Sequence, residues 1–500
     1  MSIIARLGKN LQFSFYQRII STLSYLFLVP FILDNVDHSL YGLNILLLSL
    51  LGYFKVADIG MQAGISRFSA KFIGEGKNDE LNDLLNIGVK IYFLIGIVAS
   101  ISFFSLSYFY HDVFSVNEEI IQKGKTLFYI YAFSSFFIIF NAPFKGVLSG
   151  AQRQDITSKV EIIISLCKIL LAIIILTYYK SYLTYVFFFQ LFTILFITLN
   201  IYNVFKIFPC KLRLSNISRT VFKQVVGFSG LMFLSGLFGI AIYQVDNIVI
   251  GRFISLGAIT MYSIAFIIHQ QISSLNSLLC GPLFYIFSTE FAKGYNERSK
   301  NMVMDAVHMH IGIMLPILII VIINVDHFIL AWVGDNFNDA ILPARILLSY
   351  WFLTIIYSLL IDAAIGGLGK VKEIVIITGF VAVANLVLSI ILVKHMGIVG
   401  VAIGTSIPYL VVAPFYIIRL CRLFSIKISS FIIKAIIPNI PHVLLSVVLA
   451  TAIHILMRKP NLFEVLVLFG ACYGIIMLFG YVLLSESKKN VVRKIIRPVM

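Results

Sequence analysis

Charge is scarce in this chain, and acid is scarcer still. Only 12% of its 500 residues are Asp, Glu, Lys or Arg, against about a quarter in an ordinary soluble domain. Twenty-three acidic residues face 39 basic ones, a net charge of +16. The five cysteines, Cys167, Cys210, Cys280, Cys421 and Cys472, are scattered and form no CxxC. A disulfide framework and a zinc ribbon are therefore not indicated. There is no GxSxG, no HExxH, no GxxxxGK[ST] and no GxGxxG after a strand. These absences argue against a hydrolase, a metalloprotease, an ATP-driven pump and a dinucleotide enzyme. Polar stretches are short as well, the longest spanning 206–224, so no extramembrane domain is expected.

Apolar residues fill the space. The chain is 60% hydrophobic with a mean hydropathy of +0.97. Runs of about 20 apolar residues, the length that crosses a bilayer, recur from end to end. Fourteen spans are expected, at 12–33, 40–65, 84–110, 121–149, 160–180, 182–205, 225–250, 256–289, 302–324, 341–367, 373–393, 396–419, 432–456 and 463–484. The first is read as an uncleaved span, because Arg18 interrupts it and no small-residue cleavage pattern follows.

The basic residues orient these spans. With the N-terminus inside, the inner segments hold 26 Lys and Arg and the outer loops five. This asymmetry predicts a multi-pass protein with both termini cytoplasmic. It also accounts for the +16 through topology and contact with anionic lipid, so no nucleic-acid partner is expected.

An internal repeat is visible. GVLSGAQRQ (146–154) and AAIGGLGKV (363–371) both end a span on small residues before a basic one, at an offset of 217. FILDNVDHSLYG (31–42) and VIGRFISLGAITMYS (249–263) match at an offset near 220. Spans one to six thus repeat as seven to twelve. The expected architecture is an all-α membrane protein of 14 transmembrane helices. Two pseudo-symmetric six-helix lobes, 1–215 and 216–430, surround a central cavity, followed by two additional helices and a basic tail at 431–500. Repeated bundles with a site at their interface are a transporter design.

A charge at a helix centre in a bilayer costs about 2.5–3.5 kcal/mol on insertion scales, so the deep charges are the candidate site. Arg18, Lys55, Lys145 and Lys168 lie in the first repeat, and Asp246, His269 and Asp362 in the second. Lys55 and Asp58, three residues apart, would share a helix face, so that Asp58 neutralises Lys55 until an anionic cargo takes over. Gly60, a poor helix former, suggests a bend just after them. Asp362, at the repeat position of Lys145, is a candidate partner for a first-repeat cation. His269 reads equally well as a packing histidine. Glu161 reads as an acid suiting a helix start, Arg345 as an outer-edge residue, and His308 with His310 as a solvated helix end. The GxxxG pairs Gly60/Gly64, Gly146/Gly150, Gly400/Gly404 and Gly470/Gly474 read as close helix contacts. A cavity bearing several cations implies an anionic cargo, and phosphate or pyrophosphate suits Lys and Arg.

Six segments carry a family resemblance: ADIGMQAGISRFSAKFIGEG (57–76), FKGVLSGAQRQD (144–155), YQVDNIVIGRF (243–253), LAWVGDNF (330–337), GGLGKVK (366–372) and GIVGVAIGT (397–405). Together they resemble the Wzx-type oligosaccharide flippases of the multidrug/oligosaccharidyl-lipid/polysaccharide exporter superfamily, in order from about residue 5 to 430. The resemblance implies a bacterial inner-membrane transporter, not an enzyme, that works by alternating access. Its cargo would be undecaprenyl-pyrophosphate-linked O-antigen or polysaccharide repeat units, moved from the cytoplasmic to the periplasmic leaflet. It implies no cofactor, admits coupling to H+ or Na+, and adds membrane lipids and a polysaccharide polymerase with its chain-length machinery as partners. Among the site residues it supports Arg18, Lys55, Lys145 and Lys168, with Asp58 and Asp246 as modulating acids; Lys145 and Lys168 match by location, not by motif. The alternative is a multidrug extruder of the same superfamily. A polymerase or glycosyltransferase is disfavoured by the short outer loops, although Asp335 and Asp339 could mimic an outer acid pair.

Overall fold

The computed structural model describes residues 3–212, 219–292, 294, 296–368, 371–458 and 460–483; within these, the side chains of several residues, Asp58 and Asp362 among them, lie outside the description. The described chain is all-helical. The helices are α1 (Ile3–Asn35), α2 (His38–Phe54), α3 (Val56–Gly74), α4 (Asn78–Val113), α5 (Glu118–Phe140), α6 (Ala142–Gly150), α7 (Gln154–Ile174), α8 (Tyr182–Ile207) and α9 (Arg219–Phe253). They continue as α10 (Leu256–Ala292), α11 (Glu297–Ile323), α12 (Val325–Val333), α13 (Ile341–Ser349), α14 (Trp351–Leu368), α15 (Val371–Leu423), α16 (Ile428–Phe431), α17 (Ile440–Leu456) and α18 (Leu462–Leu483).

The helix starts follow local chemistry. The Asp37 carboxylate accepts from the backbone N–H groups of Ser39 and Leu40 at the head of α2, satisfying donors that a helix leaves open. Ser181 caps α8 in the same way through the Thr184 N–H. Acids occupy the first turns of α4 (Asp79, Glu80), α5 (Glu118, Glu119) and α7 (Asp155), where the helix dipole favours them.

All fourteen expected spans fall on helices, but several are broken. The second divides at Lys55 into α2 and α3, the fourth at Asn141 into α5 and α6, and the tenth at Tyr350 into α13 and α14. The bend expected near Gly60 is instead at Lys55, five residues earlier, where the Lys55 N–H bonds back to the Leu51 carbonyl. The eleventh and twelfth spans form the single element α15, folded back at Gly397 with φ 58°. Gly400 lies against Leu392 and Gly404 against Ser389, so the two arms run antiparallel. Among the described residues, nine helices are long and apolar enough to cross a membrane, ten if the pair bent at Tyr350 is one span. The count falls below fourteen partly because α2, at 17 residues, is short and α15 counts once.

Two compact units make up the chain. Unit 1 contains Met1–Thr260, Thr378–Leu386 and Val393–Gly397; unit 2 contains Met261–Ile377, Val387–Leu392 and Ile398–Met500. In unit 1, α1 packs on α7, α3 on α6 and α9, α2 on α9, and α4 and α8 on α5. In unit 2, α11 is central and touches α13, α14, α17 and α18. Ile319, Ile320, Ala450, Ile453, Val465 and Ile476 bury the last two helices against it.

Small residues decide how closely these helices approach. A Cβ on Gly150 would collide with the Ser66 carbonyl of α3, and one on Gly146 with Ile65. This GxxxG pair is a close contact, as is Gly400/Gly404. Gly470 and Gly474 differ: a Cβ there meets nothing within 4 Å, so the packing expected of that pair is absent among the described residues. Gly150→Val should therefore destabilise by about 1–3 kcal/mol through overpacking, lowering the unfolding temperature of the detergent-solubilised protein. Gly470→Ala should leave that temperature within error of wild type.

Candidate functional site: a basic strip and a buried carboxylate in unit 1

Three of the four predicted cations lie along adjoining helices of unit 1. The Lys159 ammonium sits over the Phe13 ring at 4.7 Å, the Ser14 and Ser158 hydroxyls meet at 3.5 Å, and the Lys168 ammonium lies 5.1 Å from the Tyr25 ring. The contacts advance in the same direction on both helices, so α1 and α7 are parallel neighbours. Residues 14, 18 and 25 fall within about 40° of one another around a helix. Arg18 thus occupies the α1 face that Ser14 and Tyr25 turn toward α7. At 1.5 Å per residue it stands about 6 Å beyond Ser14, level with residues 161–162 of α7. Its side chain is exposed, and among the described residues it makes no ion pair.

Lys145 joins the strip from α6. Its ammonium donates to Glu161 Oε1 at 2.8 Å, with both side chains about two-fifths exposed. Glu161, read from the sequence as a helix-start acid, is therefore the partner of a predicted site residue. Lys168, seven residues further along α7, shares its face with Glu161. The Lys168 ammonium lies between Tyr25 and Phe189, 5.6 Å from the latter ring, so aromatic faces offset part of the cost of a deep cation. Arg18, Lys145 and Lys168 stand with Glu161 along the middle of α1, α6 and α7, while the other acids of these helices, Asp34 and Asp155, lie at the end of α1 and the start of α7. Such a strip can bind an oxyanion by charge-assisted hydrogen bonds.

The second feature is a buried polar seam on α2 and α9. The Asn247 amide donates to the Ser49 hydroxyl at 2.8 Å, and Gly52 leaves room for Gln244. These pairs run in opposite directions, so α2 and α9 are antiparallel. Asp246 on the same seam is 0% exposed. The Asn385 amide approaches its Oδ1 at 3.5 Å, the outer limit of a hydrogen bond. Asn247, Ser49 and Asn385 were not predicted, because an uncharged amide carries no hydropathy signal strong enough to mark a site.

Lys55 is exposed at the α2–α3 break, about 8 Å along the seam from the level of Asp246. The side chains of its proposed partner Asp58 and of Asp362 lie outside the described residues, so neither expected pairing is described; Lys145 is seen with Glu161 instead.

His269, His308 and His310 are held in packed polar contacts. His269 is 1% exposed; its Nε2 and the Tyr350 hydroxyl are 2.5 Å apart, amid Phe266 and Trp351. The HxH pair is not a solvated helix end: His310 is buried at 3% exposure and bonds to Asn276 Oδ1, while His308 bonds to Asn439. Residues two apart on a helix point to different sides, so the two rings find different partners. Unit 2 also holds a cavity of about 780 Å³ between α10 and α11, walled by Leu279, Leu283, Met302, Met309 and Ile313. None of the predicted site residues lines it.

Residues 15–174 match the family model described as MatE. No curated protein matches the chain. Among solved structures, the chain is similar to the lipid II flippase MurJ in an inward closed conformation, with a TM-score of 0.71, 18% identity, and 94% of this chain and 98% of that one covered. It is also similar to an inward-facing multidrug resistance MATE family transporter of the MOP superfamily, with a TM-score of 0.67, 15% identity, and 81% and 96% covered. A third similar structure is a MOP superfamily transporter from Pyrococcus furiosus, described by the reversed polarity of its binding pocket. Its TM-score is 0.58 at 16% identity, with 84% and 95% covered. The chain shares its fold with these three structures, which are themselves a flippase and two transporters.

The Lys145–Glu161 pair is half in contact with its surroundings, so its coupling should be modest. A double-mutant cycle with Lys145→Ala and Glu161→Ala, read by thermal unfolding, should give a coupling energy of no more than about 1 kcal/mol. A larger value would mean the pair holds α6 to α7 and is a structural strut.

Proposed function

Starting from a MOP transporter fold with a basic strip on α1, α6 and α7, we propose that the protein is a flippase for a lipid-linked oligosaccharide. The cargo is an undecaprenyl-pyrophosphate-linked O-antigen or polysaccharide repeat unit, moved from the cytoplasmic to the periplasmic leaflet of a bacterial inner membrane. Both termini are cytoplasmic, and the lobes 1–215 and 216–430 alternate access around the cargo, with 431–500 as an addition. A polysaccharide polymerase and its chain-length machinery take the product.

One observation carries this reading: Lys145 and Lys168 lie with Glu161 on adjoining helices, and helix periodicity puts Arg18 on the α1 face toward them. A pyrophosphate can take Lys145 from Glu161, because phosphate oxygens offer more acceptors than one carboxylate. Arg18 adds a planar fork of donors. Lys168, between two rings, meets the charge deeper in the membrane. The prenyl chain stays in lipid, so only the headgroup uses the strip. Lys55, Asp58 and Asp362 belong to the same proposal as residues that tune the charge along the route.

Asp246 is assigned to coupling. Intramembrane acids mark ion and proton paths, and a fully buried carboxylate flanked by amide groups suits H+ or Na+. The same buried acid favours a second reading, a multidrug extruder in which Asp246 meets a cationic drug.

Flipping of a pyrophosphate-linked oligosaccharide lipid in proteoliposomes separates the two. Wild type should flip it, and Arg18→Ala, Lys145→Ala and Lys168→Ala should each slow the initial rate by about 10-fold or more, the loss of a bond worth about 1.5–3 kcal/mol. A folded wild type that moves cationic dyes and not the lipid would establish the extruder instead. In the same vesicles, Asp246→Asn should abolish the response to an imposed Na+ or pH gradient; an unchanged response would remove Asp246 from coupling.

A further inference from the structure

A cluster in unit 2, remote in sequence from every predicted site residue, joins Asp326 and His327 of α12 to His454 in the last turn of α17. One donor atom from each of the three side chains lies within 4.8 Å of the others. Asp326 Oδ1 faces His454 Nδ1 at 3.8 Å, and both atoms are buried with no hydrogen-bond partner. The other carboxylate oxygen is occupied: Arg345 Nη2 donates to Asp326 Oδ2 at 3.2 Å. His327 Nε2 lies 3.2 Å from the His454 backbone carbonyl. A carbonyl can only accept, so Nε2 carries the hydrogen and Nδ1 keeps the lone pair.

We propose that Asp326, His327 and His454 form a binding site for a divalent transition metal, zinc in the first instance. Two imidazoles and one carboxylate suit zinc, whereas magnesium and calcium ask for oxygen alone. Ligands about 2.0–2.1 Å from zinc at tetrahedral angles stand about 3.3 Å apart, which small rotations of these side chains reach. The surrounding contacts are those a metal site uses: a ring N–H donated to a backbone carbonyl fixes the tautomer of one histidine, and Arg345 fixes the carboxylate. His454 is about a third exposed, which leaves a way in from solvent. The C-terminal end of α17 favours a positive ion. Bound metal would clip α17 to α12, adding a bond between the last helices and the rest of unit 2 that does not depend on apolar burial.

The test is zinc content and thermal unfolding of the full-length protein, purified without a histidine tag and equilibrated with buffered Zn2+. Wild type should retain about one zinc per chain and unfold at a higher temperature with zinc than with a chelator, since metal that binds only the folded state stabilises it. His454→Ala and His327→Gln should each weaken binding by at least the about 10–100-fold seen when an outer partner of a metal site is lost, and should abolish the zinc-dependent shift. Mg2+ should give no shift in either form. His327→Gln, which keeps a polar group of similar size, decides the matter if His454→Ala does not fold. Absence of stoichiometric zinc in wild type, or equal zinc in wild type and both variants, would overturn the site and leave Asp326 and His454 as an ion pair.

Discussion

A backbone amide in hydrocarbon has no water to bond, and that constraint governs the rest of this structure. Each N–H and C=O in the bilayer must be satisfied within the chain. The described chain accordingly contains helices and no strand. Even its irregularities are helical variants. Five-residue π-type turns follow α7 at Ile175–Tyr179 and α16 at Ile432–Ile436. The breaks at Lys55, Asn141 and Tyr350 each keep the N–H of the break residue bonded to a carbonyl of the preceding turn. Spans can therefore be divided without exposing unsatisfied backbone, and Lys55 and Asn141 place polar side chains at such divisions.

The same constraint shapes the side-chain charges. A deep cation needs a carboxylate, an aromatic face or a ligand. Lys145 has Glu161, and Lys168 has Tyr25 and Phe189. Both arrangements are modest in strength: the Lys145 pair is partly exposed and cation–π contacts are worth about 0.5–2 kcal/mol. Asp246 is the opposite case, fully enclosed in an amide-rich seam.

Parts of this were legible in the residues. Hydropathy and span length indicated an all-helical membrane protein, and the fourteen apolar segments all fall on helices. Arg18, Lys145 and Lys168 stood out because charge is costly there. Gly146 and Gly150 marked a real close approach, but Gly470 and Gly474, with the same spacing, pack on nothing described. Spacing places two glycines on one face without saying what that face meets. Glu161 looked like a helix-start acid because its partner is sixteen residues earlier across a break, and only the turn of α6 onto α7 brings Lys145 back to it. His310 looked solvated because it was placed at the inner end of a span, whereas the packing of α11 buries it against Asn276.

By itself the sequence determined the class, the helical segments and which residues pay for being charged, since those follow from the cost of transferring each group out of water. The tertiary structure decided the pairings: Lys145 with Glu161, Lys168 between Tyr25 and Phe189, Asp246 with Asn385, and Asp326 with His454 across 128 positions. Those depend on which helix faces which, and helix packing is set by the shapes of small and large side chains in contact, a property of surfaces that no single segment carries.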